Sequence, residues 1–190
     1  LWQETILLLG IALVLAVVIK AFFVQAFYIP SESMEPGLQI NDRILVQKVS
    51  YWGGDTPERG DIVVFKDPGA WLTQDESAGP SNPVAKVMAK IGLYPQGGHL
   101  VKRVIGVAGD TVRCCDDQGR LEVNGQALDE PYARTRNDIG SPRKTCAGPM
   151  TNTCDWTTGP VPAGHVFVMG DNRWHSADST VHLCRPEQTD

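Results

Sequence analysis

Two serines two residues apart, Ser31 and Ser33 in the stretch IPSESMEPG (residues 29–37), are the first groups in the chain whose type and spacing suggest chemistry. In an extended backbone, positions i and i+2 project to the same side. One hydroxyl can then attack a carbonyl carbon while the other, with a backbone N–H, holds the oxyanion that forms. Pro30 and Pro36 restrict the backbone on either side. Ser-x-Ser is also an ordinary turn element, so the pair carries meaning only if a base is at hand.

The candidate base is Lys102. In LVKRVIGV (residues 100–107), Leu100, Lys102 and Val104 share one face of a strand, and Val101, Arg103 and Ile105 the other. Both faces are largely apolar, as in a strand covered on both sides, and a lysine among such neighbours is desolvated. Desolvation disfavours the ammonium and supplies the free amine that a general base requires. The plainer alternative is a lysine that snorkels to solvent from an edge strand. A third cluster, GDNRWHSADS (residues 170–179), gathers Gly, Asp, Asn and Ser after a strand, where Ser176 could orient the lysine amine. A triad of Ser33, His175 and Asp178 is the rival arrangement, but the chain has no Gly-x-Ser-x-Gly elbow. His175, His182 and Cys184 match no familiar metal-ligand spacing, so no metal is expected.

These groups need elements to hold them. The stretch Thr5–Ile29, TILLLGIALVLAVVIKAFFVQAFYI, exceeds the roughly 20 residues a helix needs to span hydrocarbon. Lys20, with Phe22, Phe23, Phe27 and Tyr28, fits an outgoing interface. A cleaved secretory signal is the competing reading, but the basic n-region is missing and apolar residues continue past Lys20. After Pro30 the pattern changes to short β-branched runs: RILVQKV, DIVVF, LVKRVIGV and HVFVM. Asn124-Gly125 signals a tight hairpin turn. One further amphipathic helix is expected in NPVAKVMAKIG (residues 82–92), capped by Asn82.

Composition narrows the function. With 190 residues, 42% of them hydrophobic, the chain can bury the core of one domain plus a small insert. The net charge is −5 and the basic residues are dispersed, which speaks against nucleic acid as a partner. Five cysteines, Cys114, Cys115, Cys146, Cys154 and Cys184, all follow the apolar segment, in keeping with an oxidising compartment. Neighbouring residues on a strand point to opposite faces, so at least one disulfide is expected within residues 114–154, from Cys114 or Cys115 to the loop holding Cys146 and Cys154.

Taken in order, FVQAFYIPSESMEP, NDRILVQKVSY, RGDIVVF, VKRVIGVAGD and MGDNRWHSADS resemble the blocks of bacterial type I signal peptidases. By that resemblance Ser33 is the nucleophile, Lys102 the general base, Ser31 an oxyanion-hole hydroxyl and Ser176 the residue that orients the lysine. A lysine in the fourth block, where the endoplasmic-reticulum branch has histidine, looks bacterial. The resemblance also implies an extended substrate, with Ile29, Pro30, Met34, Leu38, Leu100 and Val101 lining shallow pockets for small side chains. Gly37 stands where threonine is usual and Asn41 where glycine is usual. Thr180 replaces a commonly basic residue that would pair with Asp178. The family usually continues past Asp190 through a further strand.

The expected protein is therefore mainly β: a transmembrane anchor (1–28), an antiparallel catalytic core (29–112 and 163–190) and a non-catalytic β-insert (113–162). Its expected activity is cleavage of N-terminal signal peptides from secreted preproteins at the outer face of the bacterial cytoplasmic membrane. It is expected to work as a monomer in contact with lipid and without a cofactor. A tethered binding module that catalyses nothing is the alternative.

Overall fold

In the computed structural model, residues 2–69, 71–72, 82–84, 88, 98–134 and 156–182 are described. Helix α1 (Trp2–Phe22) comes first. Its Trp2–Ile19 window has a mean hydropathy of 2.2 and none of it is buried. A helix this apolar, with none of that window buried among the described residues, suits lipid, and at 21 residues it is about 30 Å long, enough to cross a bilayer.

The apolar stretch that reads as one segment from Thr5 to Ile29 divides in the structure. After Phe23 the chain enters β1 (Val24–Tyr28), which pairs antiparallel with β2 (Arg43–Gln47) from Val24↔Gln47 to Tyr28↔Arg43. The hairpin takes up the backbone groups that a longer helix would have used. The Phe23 carbonyl accepts from the Lys48 N–H at 2.9 Å, and the Ile29 N–H donates to the Asp42 carbonyl at 2.9 Å. Phe23 lies against Trp52, ring centroids 5.9 Å apart, and both rings are exposed at the end of the helix.

Strands β3 (Ile62–Lys66), β4 (His99–Gly106) and β9 (Phe167–Met169) form a second antiparallel sheet with β4 in the middle. The β4–β9 register shifts between Val104 and Gly106. As a result Val104 packs with Val63 and Val168, while Ile105 joins Val112, Leu121, Trp156 and Phe167 in the larger core. Gly106 permits this crossing, since a Cβ there would lie 2.9 Å from a Val112 methyl. The third sheet runs β7 (Gln126–Ala127), β6 (Leu121–Val123), β5 (Val112–Cys114), β8 (Trp156–Thr157). Asn124 (φ 53°) and Gly125 (φ 78°) make its tight turn, as the Asn-Gly signal indicates.

The architecture is thus mainly antiparallel sheet behind an apolar helix. A disulfide lies within residues 114–154 as expected, but its partners need correction. Cys114 is joined to its neighbour Cys115, Cα atoms 3.0 Å apart. Strand β5 ends at Cys114, so the alternation that would send the two side chains to opposite faces does not extend to Cys115. Cys146, Cys154 and Cys184 lie outside the described residues. So does most of the expected helix over 82–92; at its start, Asn82 Oδ1 accepts from the Val84 N–H at 3.0 Å.

The turn from β4 to β5 is held by buried Asp110. Its carboxylate accepts from Arg59 at 2.7 and 2.5 Å, from the Val107 N–H at 2.8 Å and from Asn124 Nδ2 at 2.9 Å. Hydrogen bonding from the Arg59 guanidinium, foremost, lowers its pKa to about 2. A carboxyl depressed in the folded state stabilises fully above its unfolded pKa of about 3.9, and the contribution disappears as pH falls through about 2. Asp110→Asn is expected to cost about 1–2 kcal/mol at pH 7, with Arg59 half-exposed, and almost nothing near pH 2. Thermal unfolding in detergent at several pH values checks this; a uniform loss across the range would count against the ion pair as its source.

Candidate active site

Ser31 and Ser33 lie on a turn that follows β1, not on an extended segment as their spacing had suggested. The turn is wound by the Glu35 N–H donating to the Glu32 carbonyl (3.1 Å) and the Leu38 N–H donating to the Met34 carbonyl (3.0 Å). The serine hydroxyls nevertheless come within 3.3 Å of each other. Ser33 is buried and Ser31 half-buried. Met34, 1% exposed, drives its side chain into the protein and seats the turn.

Lys102 sits on β4 opposite Val63, on the face that also carries buried Leu100 and Val104. It is 3% exposed. Its Nζ donates to Ser176 Oγ at 3.1 Å. That hydroxyl donates onward to Asp178 Oδ2 at 2.5 Å and also accepts from the Gly170 N–H at 3.1 Å. Asp178, fully buried, accepts further from the Gly170 N–H (2.9 Å), the Thr180 N–H (3.0 Å) and Thr180 Oγ1 (2.7 Å). Thr180 therefore meets the carboxylate with neutral donors where a cation is commonly found. Lys102 is thereby linked through Ser176 to the Asp178 side chain.

The loop after β9 ties this cluster to the serine turn. The Asn172 N–H donates to the Ser33 carbonyl at 3.0 Å, and Asn172 Nδ2 donates to the Glu32 carbonyl at 3.1 Å. Gly170 lies where the two parts touch, since a Cβ on it would strike both the Ser33 carbonyl oxygen and Ser176 Oγ. Neither Asn172 nor Gly170 stands out in the sequence as a site residue. The signal for Gly170 was present: a glycine closing a strand often marks close approach of another backbone.

His175 and Asp178 are engaged with different partners. His175, half-exposed, lies 3.5 Å from Glu32 Oε1, while the Asp178 carboxylate is taken up by Ser176, Gly170 and Thr180. The His182 ring stacks on Trp71 at 4.5 Å. Among the described residues no group of three His, Cys, Asp or Glu side chains could hold a metal.

Between the β1–β2 hairpin and the β3–β4 pair runs a groove of about 890 Å³, lined by Phe27, Leu38, Val46, Val64, Phe65 and His99 among others. Phe27 and His99 meet across it, centroids 5.0 Å apart. Of the six residues read from the sequence as pocket-lining, Leu38 lines this groove. Ile29, Met34 and Leu100 are buried, Val101 is half-buried and Pro30 is exposed. Strand β9 begins its pairing with β4 at Arg103, so among the described strands Leu100 and Val101 pair with β3 alone. A buried amine, paired hydroxyls and a strand left unpaired on one edge among the described strands can do nucleophilic acyl chemistry on an extended chain.

Residues 2–185 match the family profile described as signal peptidase, peptidase S26. A signal peptidase I of Mycobacterium tuberculosis is 42% identical over 95% of this chain and 63% of its own length. A probable signal peptidase I of Mycobacterium leprae is 39% identical over 96% of this chain and 64% of its own length. The signal peptidase I of Leptolyngbya laminosa is 36% identical over 93% of this chain and 70% of its own length. The chain thus spans less than two thirds of the mycobacterial relatives it matches.

Proposed function

The chain belongs to the signal peptidase family, peptidase S26, and on that footing we propose that it is a membrane-bound serine endopeptidase that removes N-terminal signal peptides from secreted preproteins. The observation that carries the reading is a lysine amine held at 3.1 Å from Ser176 while the residue is 3% exposed. Burial penalises the ammonium, so Lys102 can serve as the base. Ser33 Oγ attacks the scissile carbonyl and gives its proton to Lys102 Nζ. Ser31 Oγ donates a hydrogen bond to the oxyanion. The intermediate collapses as the lysine passes the proton to the leaving amine, and the signal peptide remains esterified to Ser33. Water, deprotonated by Lys102, then releases the peptide acid and frees the serine. Ser176 keeps the amine aimed throughout.

The substrate lies extended beside Leu100 and Val101 and forms main-chain hydrogen bonds as an added strand. Ile29, Met34 and Leu100 are buried, which leaves shallow pockets that suit alanine at the first and third positions before the cut. α1 holds this site at the outer face of the cytoplasmic membrane, one protomer being sufficient and no cofactor required.

The test is cleavage of a synthetic signal-peptide junction by the full chain in detergent micelles. Cutting after Ala-x-Ala, with at least about a hundredfold lower kcat/KM when leucine or phenylalanine replaces the last alanine, is the expected result. Efficient cutting after the large residues would overturn the pocket assignment. Binding of the peptide with no cleavage at all would make the protein a tethered binding module.

A further inference from the structure

The serine–lysine site is buttressed by a segment that contains none of the residues in the proposed reaction. Residues 130–134 follow β7 and lie parallel to the loop after β9. The Arg134 N–H donates to the Asp171 carbonyl at 2.7 Å, and the Arg173 N–H donates to the Arg134 carbonyl at 3.1 Å. Two bidentate ion pairs flank this seam. Arg103 binds Asp171 at 2.8 and 2.7 Å, and its guanidinium carbon lies 3.9 Å from the centre of the Tyr132 ring. Arg173 binds Glu130 at 2.9 and 2.6 Å. The Tyr132 hydroxyl links the two by donating to Glu130 at 2.8 Å.

Arg173 is only 2% exposed, and its charge faces Glu130, Asp178 and the Tyr132 phenol. A buried guanidinium left without its carboxylate is strongly unfavourable. The same side chain donates through Nε to the Gly170 carbonyl at 2.9 Å. The Gly170 N–H in turn donates to Ser176 and Asp178. The one glycine is therefore gripped by Arg173 at its carbonyl and by the lysine-orienting pair at its N–H. Burial first, then Glu130, raises the Tyr132 pKa above its ordinary value, so the phenol stays a donor to Glu130 throughout the working pH range.

We propose that Glu130 is a positioning residue for the reaction: through Arg173 it holds the Gly170 segment in the place where Ser176 keeps the Lys102 amine aimed and dry. The inference rests on the reading of Lys102 as the base. It also gives the segment after β7 a part in the activity. Without the Glu130 carboxylate, Arg173 turns toward water or toward Asp178, the Gly170 peptide loosens, and water reaches the amine. Lys102 then holds its proton to higher pH.

The experiment measures kcat and KM against pH for the full chain in micelles on the Ala-x-Ala junction, with Ser33→Ala as the blank. Glu130→Gln is expected to lower kcat by about 10- to 100-fold with KM within about twofold, and to move the rising limb of the kcat profile to higher pH. Glu130→Asp should recover part of both effects. If Glu130→Gln does not fold, Tyr132→Phe, which removes one hydroxyl, should lose kcat a few-fold with the same displacement of the limb. Wild-type kcat and pH profile in whichever variant folds would overturn the proposal. So would a loss that only follows the unfolded fraction measured by thermal melting, with the limb unmoved. A wild-type protein that leaves the peptide whole removes the reading of function and this inference with it. A wild type that cleaves, beside an unaltered variant, removes this inference alone.

Discussion

Lys102→Arg is expected to lower kcat on an Ala-x-Ala junction by about a thousandfold or more, to the level of Ser33→Ala, while the peptide still binds. The reason is protonic. A guanidinium keeps the positive charge and never gives up its proton in a protein, so it cannot accept one from Ser33. Lys102→Met, close to lysine in length and uncharged, should be equally inactive; it guards against a loss caused by crowding arginine into a site that is 3% exposed in the native protein. A double Ser33→Ala, Lys102→Met protein should lose little beyond either single variant, since the two groups act as a unit. Wild-type activity should rise with pH through one ionisation, because the amine form is the active one. His175→Ala should keep most activity, for that ring sits half-exposed against Glu32. An active Lys102→Arg beside an inactive His175→Ala would move the base to histidine.

Gly170→Ala should cost about a hundredfold in kcat from a single methyl group on a residue that itself exchanges no proton. The methyl would occupy the space now filled by the Ser33 carbonyl oxygen on one side and Ser176 Oγ on the other. In the proposed mechanism the first is backbone of the nucleophile and the second orients the base. Neither can yield without moving the group it serves, and the Asn172 N–H, which donates to the same Ser33 carbonyl at 3.0 Å, would be displaced with it. Gly37→Ala is the matched control. There a Cβ would meet the Met34 carbonyl at 3.7 Å and Asp171 Oδ2 at 4.0 Å, ordinary contacts, so activity should stay within about twofold. Steady-state kinetics with a thermal melt for each protein decide the matter. A Gly170→Ala enzyme as active as wild type would mean that the two halves of the site are not coupled at that contact.

What the sequence disclosed follows the range of the forces involved. The short strands and the Asn124-Gly125 turn are set by residues close in sequence, and they are legible as alternation and turn chemistry. The burial of Lys102 could be read from its neighbours Leu100 and Val104, because one strand carries all three. The end of α1 could not: both the helix and β1 are apolar, and only the pairing of Val24–Tyr28 with Arg43–Gln47 decides where one stops. Arg173 and Glu130 are 43 positions apart, so their pairing has no local signature. Asn172 belongs to a loop whose composition signals a turn, and its contacts with Glu32 and Ser33 exist only once the two loops have docked.

A single residue, Phe23, separates α1 from β1, and its carbonyl is already bonded to Lys48. The chain has no slack there to pay out. If α1 lies in a bilayer, the stretch Val24–Ile29, about 20 Å long when extended, ties the serine turn to the helix end without slack. A tilt of the helix becomes a swing of the site, as a lever transmits it. On the proposed function, a substrate would then be gauged by how far its cleavage junction emerges from the membrane as well as by which residues surround it.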